Sequence, residues 1–197
     1  MATAHKGFTL TIVVCAGLWA ASARSASLST QGSGQVPAPT FGIGHTPSPD
    51  RLKQIDIDVT PDGAGLLPGS GTAAKGKDIF KEKCAVCHND QAQGREGQYP
   101  ALVGGKGTLN TPKPVKTVGS YWPYATTVFD YIRRAMPYDQ PGTLHADEIY
   151  SLVGFVLNLN GIIGENDVID KDTLPKVKMP NRDGFIPDAR PDVKAKR

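Results

Sequence analysis

The sequence Cys84-Ala85-Val86-Cys87-His88 constrains this chain more than any other feature. Its thiols are three residues apart, so one helical turn places both on the same side, with a histidine directly after them. Cys-x-x-Cys-His is the attachment pattern of c-type haem, in which the two thiols form thioethers with the two vinyl groups of one porphyrin. We therefore predict one covalently bound haem c on Cys84 and Cys87, with His88 as the proximal iron ligand.

Two other chemistries also use paired cysteines. A structural zinc site takes four ligands, and the sequence has no second cysteine pair to complete one. A thioredoxin-like redox pair would lie among strands, whereas this motif ends a predicted helix. Haem attachment therefore explains the motif best.

Residues 1–23 are typical of a secretory signal peptide. Lys6 supplies a basic start, an uncharged apolar stretch covers residues 8–19, and Ala21-Ser22-Ala23 supplies small residues for cleavage. The apolar stretch is shorter than the roughly 20 residues that span a bilayer. We expect a cleaved signal, export to the periplasm and no stable membrane span. Cleavage also removes Cys15, so the exported chain has only the two cysteines of the motif.

Composition indicates one modest helical core with long irregular segments. Hydrophobic residues make up 39% of the chain, but 22 glycines and 16 prolines interrupt it. The net charge is only +3, with both signs scattered, so nucleic-acid binding is not expected. We predict an N-terminal arm over 24–70 with one short strand at Ile55–Val59, and a C-terminal extension over 162–197. Both are expected to be too polar to build a core.

The helical signals lie between these arms and predict an all-α domain over 71–161. A first helix is expected from Thr72, its N-cap, to about Cys84. A second covers Ala125–Ala135 and stops before Pro137, with Arg133 and Arg134 facing outward. A third covers Asp147–Asn158, with a broad apolar stripe and a glycine just after its end.

The segment Gly76–His88 resembles the start of a class I cytochrome c, and the resemblance covers about residues 71–161. It implies the class I cytochrome c fold, in which the first helix crosses the last one closely. Gly76 and Phe80 would then meet Leu152 and Phe155. The sequence Pro100-Ala101-Leu102 resembles the loop whose proline carbonyl accepts a hydrogen bond from the proximal imidazole, which would fix the tautomer of His88.

Four residues are candidates for the second axial ligand of the iron: Met136, Met179, His45 and His145. Met136 is our choice, because a Met-Pro pair before the last helix is the class I arrangement. A plain core methionine is the alternative reading of this residue. Met179 lies in another Met-Pro pair, but it follows the last helix. Ligation by methionine and histidine leaves no open position on the iron.

Aromatic residues precede the second helix. Tyr121 and Trp122 are candidates to hydrogen-bond a haem propionate through their O–H and N–H groups, and ordinary packing explains them equally well.

A closer resemblance extends over residues 118–138, 159–163 and 179–185 and over Ile55–Val59. These segments are similar to the cytochrome subunits of bacterial sulfur oxidation, which pair with a periplasmic molybdenum sulfite or sulfane dehydrogenase. The sulfane dehydrogenase cytochromes usually carry two haem domains, whereas this chain has one Cys-x-x-Cys-His. The sulfur substrate therefore stays open between sulfite and sulfane sulfur.

The resemblance implies a function in electron transfer. A molybdenum subunit would oxidise the sulfur compound, and this haem protein would take its electrons singly and pass them to a soluble c-type cytochrome. The arms would wrap the catalytic subunit. Two alternatives remain: a stand-alone periplasmic electron shuttle, and a haem enzyme or gas sensor with an open iron site.

Overall fold

The computed structural model describes residues 42–186 and Asp188. The predicted signal peptide, residues 24–41 of the N-terminal arm and the end of the C-terminal extension lie outside the described residues. The chain divides into two units, residues 1–46 and 47–197. In the first unit, described residues 42–46 are exposed and belong to no helix or strand.

The second unit is mainly helical, which confirms the predicted all-α class. None of the described helices is long and apolar enough to cross a membrane. The regular elements are α1 (Pro49–Ile55), β1 (Ser70–Gly71), α2 (Ala73–Lys83), α3 (Ala85–His88), α4 (Ala125–Ala135), α5 (Ala146–Leu159), β2 (Ile169–Asp170) and a 3₁₀ helix (Leu174–Lys176).

The predicted first helix is confirmed as α2. The hydroxyl oxygen of Thr72 accepts a hydrogen bond from the backbone N–H of Lys75 at 3.4 Å, so Thr72 is its N-cap. The buried face of α2 consists of Ala73, Gly76 and Phe80, at spacings of three and four. That face packs against α5 and orients the chain as it enters the Cys-x-x-Cys-His motif.

Helix α5 is the centre of the core and extends the predicted helix by one residue at each end. Every residue from Ile149 to Leu157 is buried, because α2, α4 and both short strands contact α5 from different sides. The rings of Phe80 and Phe155 lie 5.1 Å apart, as the resemblance implied. Gly76 also meets Phe155, as the resemblance implied, because a methyl group on Gly76 would lie 2.8 Å from the Phe155 side chain. The same methyl group would overlap the carbonyl oxygen of Ser151, a contact that the resemblance did not include.

Helix α4 has the predicted bounds, Ala125–Ala135. Its buried Phe129 lies 4.6 Å from the ring of Tyr150 on α5. The predicted outward orientation of Arg133 and Arg134 was only partly right. Both side chains are half-buried because they bind the preceding arm: Arg133 donates to the carbonyl of Ile57 at 3.1 Å, and Arg134 pairs with Asp58.

The predicted strand at Ile55–Val59 was wrong. Ile55 ends α1, and among the described residues 42–186 none pairs as a strand with those that follow. Their burial alternates as in a strand, but their backbone groups bond to side chains of α4 instead: the N–H of Val59 donates to Asp130 Oδ1 at 3.1 Å. The burial of residues 56–60 alternates because this segment packs on α4, not because it pairs in a sheet.

The prediction that the C-terminal extension is too polar to contribute to the core was also wrong. Ile169, Leu174 and Met179 are each at most 2% exposed and belong to the main apolar cluster. Ile169 pairs with Gly71 in the antiparallel β1–β2 ladder. The N-terminal arm takes part as well, because the hydroxyl of Tyr150 donates to the carbonyl of Leu67 at 2.8 Å.

Candidate haem site

The Cys-x-x-Cys-His motif follows α2 as a separate helical turn, α3. Cys84 ends α2 and begins α3. Its carbonyl accepts hydrogen bonds from the backbone N–H groups of Cys87, at 3.1 Å, and His88, at 3.0 Å. This single turn displays both thiols and the imidazole together, as the spacing predicted.

The two thiols are unpaired and half-buried. Burial raises the pKa of the Cys84 thiol to about 11, although nearby Lys83 opposes this shift. A redox-active cysteine needs a lowered pKa, because the thiolate is the reactive form. The environment of Cys84 therefore disfavours a redox pair. No cluster of three metal-binding side chains occurs in the described part of the chain, so nothing there completes a zinc site.

The imidazole of His88 is oriented by the backbone of a neighbouring loop. Its Nδ1 atom lies 3.1 Å from the carbonyl oxygen of Pro100. A carbonyl oxygen can only accept, so Nδ1 carries the proton in the neutral ring and Nε2 keeps its lone pair. The chain thus presents a histidine tautomer that is suited to bind iron through Nε2.

Internal hydrogen bonds hold the loop that carries Pro100. The backbone N–H of Gly94 donates to the carbonyl of His88 at 2.9 Å, and the Asn89 side chain donates to the carbonyl of Gly94 at 2.7 Å. Gly94 has φ +71°, and a methyl group on it would lie 2.6 Å from the Pro100–Ala101 backbone. Glycine is required here for both reasons, the left-handed backbone and the close approach.

Met136 lies directly after α4. Its N–H donates to the carbonyl of Ile132 at 3.1 Å, its side chain is half-buried, and Pro137 follows it. Met179 is different, because it is 1% exposed and belongs to the apolar core. His145 is the exposed N-cap of α5, and His45 is exposed in the first unit.

Tyr121 and Trp122 are half-buried and already have aromatic neighbours. Trp122 packs edge-on against Tyr131 at 5.7 Å, and Tyr121 against Phe185 at 5.2 Å. Lys116 lies 5.0 Å from the centroid of the Tyr121 ring. Ordinary packing accounts for these contacts, and the role of either residue towards a propionate stays a prediction.

A buried polar network, which was not predicted from the sequence, links this region to α5. Thr117 and Ser120 are buried; the backbone N–H of Thr117 donates to the Ser120 hydroxyl at 2.9 Å. Asn160, just after α5, donates to the carbonyl of Leu102 and accepts from the N–H of Gly104, both at 3.2 Å. A Thr-x-x-Ser sequence in a glycine-rich loop is the signal that could have indicated the turn.

Comparison with known proteins supports a haem site. A model of the cytochrome c family matches residues 73–160. The crystal structure of the sulfane dehydrogenase SoxCD from Paracoccus pantotrophus contains a chain that is 42% identical, with a TM-score of 0.69. That match covers 78% of this chain and 75% of the other.

A more distant similarity is to the thiosulfate dehydrogenase of Psychrobacter arcticus, which is 28% identical over 129 residues. These make up 61% of this chain, but this chain spans only 36% of the length of that relative.

The chain belongs to the cytochrome c family, as a class I cytochrome of helical fold. Within that class it is similar to the cytochrome subunits of sulfur-oxidising dehydrogenases. Membership implies electron transfer and a covalently bound haem c. The residues present fit that group, because Cys84 and Cys87 are unpaired thiols beside a histidine whose Nδ1 is hydrogen-bonded and whose Nε2 keeps its lone pair.

Proposed function

We propose that this chain is a periplasmic mono-haem cytochrome, the electron-accepting subunit of a molybdenum sulfite or sulfane dehydrogenase, which passes electrons on to a soluble c-type cytochrome. The observation that carries the proposal is 42% identity to a sulfane dehydrogenase chain over 78% of this chain. The cytochrome domain alone accounts for residues 73–160. The similarity therefore includes flanking segments, which are the parts available to contact a specific partner.

In this proposal, Cys84 and Cys87 would hold the haem through thioethers, and His88 would bind the iron through Nε2. A haem c held in this way takes up and releases one electron at its iron. The Pro100 carbonyl holds the imidazole in one orientation and increases its basicity through the 3.1 Å hydrogen bond. The chain's own contribution is thus to position the ligand and to adjust the reduction potential.

Met136 would supply the second protein ligand to the iron in this proposal. Met136 comes directly after the last residue of α4, and its side chain is only half-buried. Met179 is the alternative ligand, and its side chain is 1% exposed and packs within the apolar core.

The N-terminal arm supplies the contact with the molybdenum subunit. Helix α1 has no buried residue, and Leu52 and Ile55, three residues apart on one face, are 45% and 50% exposed. An apolar helix face of this kind gains stability when a partner covers it. Residues 57–67 do not serve this purpose, because they pack on α4 and α5 of their own chain.

The test is to purify the tagged full-length chain gently from its own cells and to measure molybdenum and haem iron in the eluate. We expect one haem per chain and molybdenum close to equimolar with iron. Haem iron without molybdenum would refute the subunit assignment and favour a free electron shuttle.

A pair of variants then tests the arm. We expect Leu52→Glu/Ile55→Glu to lose the molybdenum while keeping the haem. The matched control, Lys53→Gln/Gln54→Glu, makes the same change in charge on the other side of α1 and should keep both. Equal retention of molybdenum in both variants would exclude this face of α1 from the interface.

A further inference from the structure

Residues 57–67 of the N-terminal arm form a closed loop, here called the arm loop. The backbone N–H of Thr60 donates to the carbonyl of Ala64 at 3.0 Å. Gly65 lies so close to the carbonyl of Asp58 that a methyl group on Gly65 would overlap it. These contacts join the two sides of the loop, so the arm loop has a fixed shape although residues 57–67 contain no helix or strand.

Two consecutive arginines at the end of α4 hold the arm loop. Arg133 donates to the carbonyl of Ile57 at 3.1 Å and to that of Gly65 at 3.5 Å, which lie on the two sides of the loop. Arg134 pairs with the carboxylate of Asp58. Hydrogen bonds with a charged partner are roughly twice as strong as neutral ones. The two guanidinium groups therefore attach the arm loop to the last turn of α4.

Asp130, one turn earlier on α4, completes this attachment. Its Oδ1 atom accepts hydrogen bonds from the backbone N–H of Val59, at 3.1 Å, and from Nε of Arg134, at 3.0 Å. Its Oδ2 atom also lies 3.0 Å from Nε of Arg134. One carboxylate thus binds the arm loop and orients the guanidinium that pairs with Asp58.

The arm loop also packs against the rest of the fold. Val59, Leu66 and Leu67 pack on the apolar core. A methyl group on Gly63 would lie 2.6 Å from the ring of Pro175, in the 3₁₀ helix of the C-terminal extension. Because it contacts both α4 and this extension, the arm loop can resist movement of the end of α4.

Met136, the candidate iron ligand, comes directly after the turn that the arm loop holds. It is two residues after Arg134 in the sequence, and its backbone N–H donates to the carbonyl of Ile132 at 3.1 Å. The last turn of a helix frays readily, since its final carbonyls have no partner within the helix. Movement of that turn would move Met136 as well, because this hydrogen bond joins its backbone to the turn.

We propose that the arm loop positions the second axial ligand: Asp58, Asp130, Arg133 and Arg134 hold the last turn of α4 so that Met136 stays in place to bind the haem iron. These four are positioning residues, which act on the iron through Met136. The inference rests on the proposed role of Met136. It adds that ligation is controlled from outside the cytochrome c domain, because the match to that family begins at residue 73.

The test distinguishes this role from a contribution to stability alone. The probe is imidazole added to the oxidised full-length holoprotein, because imidazole binds ferric iron only after the protein's own second axial ligand has left it. The rate of imidazole binding therefore reports how readily that ligand leaves in the folded protein. The near-infrared band of methionine-ligated haem and the free energy of unfolding in urea are measured on the same samples.

Asp58 is the residue to change first, because its side chain is 73% exposed and its replacement leaves the core intact. Asp58→Lys places a like charge beside Arg134. We expect it to speed imidazole binding by about tenfold, since it removes a charged hydrogen bond, and to weaken the methionine band. Asp58→Glu keeps the carboxylate and should bind imidazole at nearly the wild-type rate.

The matched control is Asp56→Lys, which makes the same change in charge two residues away. Asp56 is exposed, and within residues 42–186 it forms no ion pair. Its rate of imidazole binding should stay within about twofold of the wild type. Equal acceleration in Asp56→Lys and Asp58→Lys would mean that net charge is the cause and would overturn the proposal. An unchanged rate in Asp58→Lys would overturn it too.

A second pair of variants separates the attachment on α4 from that on α5. Arg133→Gln removes both bonds to the arm-loop carbonyls and should also speed imidazole binding. Tyr150→Phe removes the hydrogen bond from α5 to the carbonyl of Leu67. It should lower the free energy of unfolding without changing the rate of imidazole binding. Equal acceleration in Tyr150→Phe would show that only stability matters, which contradicts the proposal.

Met136→Ala separates failure of this inference from failure of the proposed function. This variant should lose the methionine band and bind imidazole rapidly, and adding Asp58→Lys to it should change the rate no further. Retention of the band in Met136→Ala would overturn the ligand assignment and the role of the arm loop together. Loss of the band in Met136→Ala, with a wild-type rate in Asp58→Lys, would overturn the role of the arm loop alone.

Discussion

His88 and Pro100 are twelve residues apart in sequence, yet His88 Nδ1 lies 3.1 Å from the Pro100 carbonyl oxygen. The backbone of a glycine-rich loop therefore determines which imidazole nitrogen is free to bind iron. Since no side chain of Pro100 takes part, replacing Pro100 would not remove the acceptor. The His88–Pro100 hydrogen bond is best tested by changing Gly94, which packs against the Pro100–Ala101 backbone.

Gly94→Ala should displace the loop and weaken the His88–Pro100 hydrogen bond. The new methyl group would lie 2.6 Å from the Pro100–Ala101 backbone. A weaker bond makes the imidazole a poorer donor to ferric iron, so the reduction potential should rise. Spectroelectrochemical titration of the holoprotein measures the shift.

Gly97→Ala is the control for this experiment. Gly97 has a similar left-handed φ of +73°, but nothing lies within 4 Å of the added methyl group. It should cost about 1 kcal/mol of stability through backbone strain and leave the potential unchanged. Equal shifts in both variants would mean that loop strain, not the hydrogen bond, sets the potential.

Met136→Ala should open the second axial position of the iron. The reduced variant is expected to bind carbon monoxide at neutral pH, and the oxidised variant to lose the near-infrared band of methionine-ligated haem. The wild type should bind little carbon monoxide. Rapid binding by the wild type would instead favour a haem enzyme or gas sensor.

Met179→Leu tests the other methionine. Its side chain is buried in the apolar core, so a substitution of similar volume should cost less than about 1.5 kcal/mol and leave the haem spectrum unchanged. Loss of the methionine band in this variant would assign the ligand to Met179.

Gly76→Ala should destabilise the protein by about 1–3 kcal/mol, because the methyl group would overlap the carbonyl of Ser151 where α2 crosses α5. The loss occurs although alanine favours a helix by about 1 kcal/mol over glycine. Gly154→Ala is the comparison, since its methyl group would lie 3.2 Å from the backbone nitrogen of Ala73, which is a tight contact but not an overlap. Urea unfolding of the two holoproteins should show the larger loss for Gly76.

Acid should destabilise the protein partly through Glu148. The backbone N–H of His145, at 2.8 Å, and the Lys83 ammonium, at 2.9 Å, lower the pKa of this carboxyl below its ordinary value of 4.5. The ionised carboxylate therefore stabilises the folded state above pH 4.5, and this contribution is lost as the pH falls through the folded-state pKa.

We expect Glu148→Gln to be less stable at pH 7 and to show a flatter loss of stability below pH 4.5. Glu96→Gln, which removes an exposed carboxylate, is the control and should follow the wild type. Free energies of unfolding in urea across this pH range provide the measurement. Parallel pH profiles for the wild type and Glu148→Gln would contradict the assignment.

Local signals predicted the central helices well and the arms poorly. The bounds of α4 could be predicted because an apolar period of 3.6 residues ends just before Pro137. Helix α1 also has a local sequence signal, because the Ser48 hydroxyl accepts a hydrogen bond from the N–H of Arg51 at 3.2 Å and Pro49 occupies the first turn. Three apolar residues of the C-terminal extension, Ile169, Leu174 and Met179, follow no helical or strand period, so no pattern indicated their burial.

The sequence by itself determined the haem motif and the core helices, because thiol spacing, helical periodicity and capping act within a few neighbouring residues. Only the tertiary structure decided that Met179 is buried in the apolar core and that the segment after α1 packs on α4. Those relationships join residues far apart in the chain, and they depend on shape and packing across elements. Local composition does not indicate such contacts.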